Sequence, residues 1–139
     1  MISSFSGEYR WLSNFVPAHV ILDGMAYPSV ECAYQAAKTL VISERIPFQK
    51  MQSGQAKRAG KYIGMRADWD EVKLDVMTDL CTQKFNQSNY KALLLDTYPE
   101  DIIEGNYWHD YFWGVCNGKG ENHLGNIIMD IRDELRSNS

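Results

Sequence analysis

The 139-residue chain has no apolar run long enough to cross a bilayer. Its longest stretch free of Asp, Glu, Lys and Arg lies between Trp11 and Leu22, well short of the roughly 20 apolar residues that a spanning helix needs. Met1-Ile2-Ser3-Ser4-Phe5 lacks the basic-then-apolar order of a secretory signal, so a cytoplasmic location is expected. Cysteine is scarce. Cys32, Cys81 and Cys116 are odd in number, widely spaced and without a Cys-x-x-Cys pair, which argues against a disulfide framework and predicts free, reduced thiols. No excess of cations exists either: 14 Lys and Arg against 18 Asp and Glu leave a net charge of −4. No global basic field therefore draws nucleic acid or anionic lipid, and any basic patch is local. His19, His109 and His123 show no His-x-x-x-His spacing and no Glu at helical distance, so no metal is expected. Gly118-Lys119-Gly120 lacks the spacing and the Ser or Thr of a phosphate loop, and no Gly-x-Ser-x-Gly elbow occurs.

What is present is the composition of a folded chain, 45% hydrophobic, 12% aromatic and 23% charged. Its length predicts one domain over 1–139. Ile2 to Phe5 and Ala18 to Leu22 are β-prone and read as an N-terminal hairpin-like element, the second run ending in the turn dipeptide Asp23-Gly24. Ser29 is placed to cap a helix whose apolar face is Val30, Ala33, Tyr34, Ala37 and Val41 and whose other face carries Glu31, Gln35 and Lys38. Ser53 is expected to cap a small basic helix from Gly54 to Tyr62, with Lys57, Arg58 and Lys61. Asp68 is expected to cap the longest helix, with Trp69, Val72, Val76, Met77 and Leu80 as a clear apolar stripe. A short helix over Tyr90 to Asp96, a strand over Asp101 to Glu104, and an irregular Gly-rich region from Gly105 to Gly125 follow. A last helix is striped by Leu124, Ile127, Ile128, Ile131 and Leu135 and ends in a frayed Ser137-Asn138-Ser139 tail.

Three positions carry candidate chemistry. Glu31 lies in a first helical turn, where the macrodipole favours a charged carboxylate, although the Glu31, Gln35, Lys38 spacing also suits a solvated face. Asp110 sits among the rings of Tyr107, Trp108, Tyr111, Phe112 and Trp113, where a buried charge needs a partner or a purpose; the alternative is a loop Asp bonding local N–H groups. Trp69 is either core or a stacking platform for a base. The segment Gly118 to Asn122 leads into a helix N-terminus, an arrangement that attracts phosphate, and Lys57 and Arg58 add charge.

In order and spacing, these residues resemble the NADAR family of YbiA-like N-glycosidases. The blocks are Leu12-Ser13-Asn14-Phe15, the run Tyr27 to Lys38, Arg66 to Lys73, Lys84-Phe85-Asn86-Gln87, Leu93 to Thr97, Ile103-Glu104, Asp110 to Gly114, Asn122 to Gly125 and Ile128 to Arg132. Cys32 stands where members of that family commonly carry His. The resemblance runs from about Phe5 to Leu135 and implies a compact, mostly helical α+β domain with a small β-sheet, its core at about 5–135. It also implies hydrolysis of an N-glycosidic bond between a base and a ribose phosphate or ADP-ribose, in riboflavin-pathway ribosylamino-pyrimidine phosphates or ADP-ribosylated guanine, without a cofactor. ADP-ribosylated nucleic acid is then a possible partner and a membrane is not. The resemblance puts catalytic roles on Glu31, Trp69 and Asp110. Water activation falls to Glu31 or Asp110. Substrate contacts fall to Asn14, Gln35, Lys57, Arg58, Trp113, Lys119 and Asn122. The rivals are a module that binds ADP-ribose or a nucleotide without hydrolysis, and an interaction protein that docks a partner through an exposed Tyr107 to Trp113 segment.

Overall fold

In a computed structural model, which describes residues 1–138, the architecture is α+β and the chain divides into two units. Among the described residues no helix is long and apolar enough to cross a membrane.

One unit is Asn14–Lys84. Its antiparallel hairpin pairs β1 (Val20–Leu22) with β2 (Met25–Tyr27) around Asp23 and Gly24, both at positive φ, as a tight primed turn requires. Val20 and Leu22 are buried and Ile21 between them is exposed, the period-two pattern of a half-buried strand. Helix α1 (Val30–Ala36) starts at Ser29, whose hydroxyl accepts from the Cys32 N–H at 3.1 Å. It stops well before Val41, which instead precedes α2 (Ile42–Arg45). Every residue of α1 is buried, because it packs on α3 (Ser53–Ala59), on the hairpin and on the 3₁₀ turn Ile46–Lys50. The expected solvated face of Glu31 and Gln35 does not exist.

Two other local expectations are also corrected. Ser53 is the first residue of α3 and not its cap, since its hydroxyl donates to the Phe15 carbonyl at 2.9 Å; the basic segment then tightens into a 3₁₀ turn, Gly60–Tyr62. Helix α4 (Trp69–Phe85) has the expected place directly after Asp68, whose carbonyl accepts from the Val72 N–H at 3.1 Å and whose carboxylate accepts from Arg66 Nε at 2.6 Å. Of its expected stripe, Trp69, Met77 and Leu80 are buried and Val72 and Val76 half-buried, while Leu74 on another side is exposed and Lys84 is buried as well.

The other unit is Met1–Ser13 with Phe85–Ser139, described to Asn138. Ile2 does not join the hairpin; it forms a parallel bridge with Ile102, donating to the Asp101 carbonyl and accepting from the Ile103 N–H, each at 2.8 Å. The expected strand at 101–104 is reduced to that bridge. Helix α5 (Ser88–Leu95) packs on α6 (His123–Ser137), whose Leu124, Ile128, Ile131 and Leu135 are buried as expected. Buried Arg132 donates to Thr97 Oγ1 at 3.0 Å and to the Glu100 carbonyl at 2.8 Å. The Gly-rich region contains a short parallel pair, β3 (Gly105–Asn106) with β4 (Val115–Cys116). Of the expected frayed tail, Ser137 is helical, Asn138 closes α6, and Ser139 lies outside the described residues.

Candidate active site

In the unit Asn14–Lys84, the start of α1 is fixed from three sides. Ser29 Oγ takes the Cys32 N–H and shares a 2.8 Å hydrogen bond with Ser53 Oγ, and the Asn14 carbonyl accepts from the Glu31 N–H at 3.1 Å. These contacts place Glu31, whose residue is only 8% exposed. One turn on, the buried Gln35 donates from Nε2 to Glu31 Oε2 at 2.8 Å. Gln35 Oε1 has no hydrogen-bond donor among the described residues. Leaving a buried acceptor unmet costs about 1–3 kcal/mol.

Lys38 lies one more turn along, its backbone carbonyl held by the Arg66 N–H at 2.7 Å. Burial pushes its ammonium below the ordinary lysine value, and the Glu31 carboxylate opposes that shift. The same carboxylate adds to the upward push that burial gives the Cys32 thiol. Lys38 Nζ stands 5.7 Å from the centre of the Tyr34 ring, and that ring lies 5.2 Å from the Trp69 ring. The cluster is thus a carboxylate, an amide and a ring on α1, the ammonium of Lys38 just past its end, and the Trp69 ring from the start of α4. Lys38 and Tyr34 were not legible as site residues, although Lys38 follows Glu31 at a helical i+7 step.

Trp69 is 5% exposed, with its ring tilted against that of Tyr34. Asn14 meets sulfur, with Nδ2 3.5 Å from Met77 Sδ and Oδ1 3.9 Å from Cys81 Sγ, both weak partners. On α3, half-buried Lys57 places Nζ 5.9 Å from the Phe15 ring centre and Arg58 is exposed. Removing the cap through Ser29→Ala is expected to cost about 1 kcal/mol of stability, read as a lower denaturation midpoint at unchanged slope.

The other unit holds Asp110, Trp113, Lys119 and Asn122. Asp110 Oδ1 accepts from the Phe112 N–H at 3.2 Å and the Trp113 N–H at 2.9 Å, the local bonding that a loop Asp favours. Asn106 clamps the same residue: its Oδ1 takes the Asp110 N–H at 3.1 Å, and its Nδ2 reaches the Asp110 carbonyl at 3.0 Å and Glu104 Oε2 at 3.1 Å. Trp113 is half-buried with its ring perpendicular to Phe112. Tyr107, Trp108 and Tyr111 are exposed, the feature that the docking alternative calls for.

The expected phosphate cradle before α6 is not formed. The N–H groups of Glu121, Asn122, His123 and Leu124 donate to the carbonyls of Tyr111, Gly114, Phe112 and Trp113. Asn122, at φ 55°, spends its amide on the Glu104 N–H at 2.9 Å and the Ile102 carbonyl at 3.0 Å, which gives it a structural place. Lys119 is exposed on a tight turn closed by two hydrogen bonds with Cys116. Among the described residues no group of three or more His, Cys, Asp or Glu gathers to hold a metal.

Comparison with known proteins gives a consistent picture. The family model described as the NADAR domain matches residues 3–136. The chain is 34% identical over 137 residues to the N-glycosidase YbiA of Escherichia coli strain K12, covering 95% of this chain and 85% of that one. An N-glycosidase of Nostoc punctiforme is 30% identical over 137 residues, with 93% and 87% covered. A Vibrio vulnificus protein named for riboflavin biosynthesis is 32% identical over 138 residues, which cover 95% of this chain and 37% of that protein. The NMR structure of the E. coli protein YbiA matches the fold with a TM-score of 0.85 at 32% identity, over 99% of this chain and 84% of that one.

Proposed function

The chain belongs to the NADAR domain family, and from that premise we propose that buried Glu31 is the carboxylate with which it works as an N-glycosidase. The reaction is hydrolysis: the C–N bond between a base and a ribosyl carbon breaks, water supplies the new C–O bond, and its proton goes to the departing base. The transition state has oxocarbenium character, so a fixed carboxylate beside the ribosyl carbon stabilises the developing positive charge and orients the attacking water. The observation that carries this reading is the burial of Glu31 within hydrogen-bond reach of the Gln35 amide and in the field of the Lys38 ammonium. A carboxylate costs free energy to bury, and this one is held on a short helix among groups that fix its position.

The substrate class follows from charge. From 46 to 67 the chain carries Lys50, Lys57, Arg58, Lys61 and Arg66 and no acidic residue. This favours a phosphate-bearing ribosyl compound, held by Lys57 and Arg58, with the weakly bonded Asn14 amide available to a polar group of the substrate. Trp69 shapes the wall behind Tyr34. In the other unit Asp110 is the second candidate carboxylate, with Trp113 and Lys119 as candidate contacts of their own, and its Oδ2 lies outside the local bonds made by Oδ1. Three buried free cysteines favour a reducing, cytoplasmic setting.

The test is incubation with ribosylamino-pyrimidine phosphates, NAD, ADP-ribose and ADP-ribosylated guanine DNA, read by mass spectrometry. Released base from one of them is the expected result, and binding without release from any would establish the non-hydrolytic alternative. Carboxylates alone run this chemistry, so EDTA is expected to leave the rate of release unchanged; loss of activity restored by a divalent metal would refute that.

A further inference from the structure

Gly60 has no backbone reason to be glycine. At φ −61° and ψ −21° it continues α3 in ordinary right-handed geometry, where alanine is the better helix former. What requires glycine there is Gln35. A methyl carbon on Gly60 would stand 2.7 Å from Gln35 Cδ and 3.3 Å from Cγ, and closer still to Oε1, inside the roughly 3.5–4.0 Å at which carbon atoms pack. The Gln35 amide is the group that donates to Glu31 Oε2, and it keeps that pose although its own Oε1 finds no donor.

We propose that Gly60 is a positioning residue for the N-glycosidase reaction: its missing side chain leaves the slot that seats the Gln35 amide, and the seated amide aims the Glu31 carboxylate. Gly60 acts entirely through Gln35, and the inference rests on the assignment of Glu31 above. A methyl group at position 60 pushes the amide off Glu31 without touching substrate, so the chemical step suffers and substrate affinity does not. The lost N–H donor also removes a bond that favours the charged carboxylate, which moves the acid limb of the rate profile to higher pH.

The experiment compares wild type, Glu31→Gln, Gly60→Ala, Gln35→Ala and the double variant Gln35→Ala/Gly60→Ala, using as probe the panel compound from which wild type releases base. Gly60→Ala is expected to lower kcat by about 10–10²-fold, the scale of a misplacement near 1 Å. Its KM should stay within about threefold of wild type, and its acid limb should move up in pH. Gln35→Ala should show a similar loss, and adding Gly60→Ala to it should change nothing further, because the methyl then occupies the space of the removed amide. Wild-type kcat in Gly60→Ala, or the same loss in both backgrounds, overturns the proposal. Should Gly60→Ala alone fail to fold, the double variant carries the comparison with Gln35→Ala: equal kcat supports the slot and a further loss refutes it. Undiminished turnover in Glu31→Gln would instead remove the reading on which the inference stands, so the two failures are told apart.

Discussion

Glu31→Gln is expected to lower turnover by about 10²–10⁴, the range for loss of a positioned acid or base, while the protein folds normally. Glutamine has nearly the same shape, and its carbonyl oxygen can accept the hydrogen bond that Gln35 Nε2 now gives to Glu31 Oε2. What disappears is the charge. An uncharged amide stabilises an oxocarbenium centre poorly and does not take a proton from water. The variant also removes the Glu31 charge that opposes the effect of burial on Lys38, so the Lys38 ammonium should titrate at still lower pH than in wild type. Removing a buried charge relieves its desolvation, and the melting temperature should hold. Turnover and melting temperature measured on one preparation decide the matter. Near-normal turnover in a well-folded Glu31→Gln protein would take Glu31 out of the mechanism and leave Asp110 as the carboxylate to pursue.

Asp110 calls for a pair of substitutions, because one of its oxygens already has structural work. Asp110→Asn keeps a carbonyl oxygen for the Phe112 and Trp113 N–H groups and loses only the charge. If the carboxylate acts on substrate or water, turnover falls by about 10²-fold or more with little change in melting temperature. Asp110→Ala removes the acceptor as well and leaves two backbone donors unmet. That variant should lose about 1–3 kcal/mol of stability in addition to turnover. Full activity in Asp110→Asn would assign the residue to the loop alone. The Asn106 clamp predicts that the Asn variant keeps its backbone, since Asn106 holds the Asp110 N–H and carbonyl and not its carboxylate.

Features set by neighbouring residues were legible from the chain. Asp23-Gly24 turns because two successive positive φ values suit that dipeptide, and Ser29 caps α1 because its hydroxyl reaches the N–H three residues on. The buried stripe of α6 follows from its own helical period. The blocks around Glu31 and Asp110 were specific enough to indicate the family, which the match over residues 3–136 establishes. The strand expected at 101–104 failed for a matching reason: β-prone residues make a strand only where a partner continues, and Ile2 supplies a single bridge.

Burial is where local pattern stopped being informative. Glu31, Gln35 and Lys38 have the spacing of a solvated face, yet the first two are enclosed because α3 and the hairpin pack around α1. Helical period places residues on a common face, but whether water or protein covers that face depends on segments distant in sequence. The same dependence explains the start of α6. Its N–H groups looked available to phosphate until the carbonyls of Tyr111 to Gly114 came back to accept them. It explains Gly60 too, a glycine whose reason lies twenty-five positions earlier in the Gln35 amide that rests against it. Propensity, caps and turns are energies of neighbours along the chain, so the residues themselves carry them; enclosure of a charge, use of a donor and close approach of a side chain are energies of neighbours in space, and only the packed fold creates them.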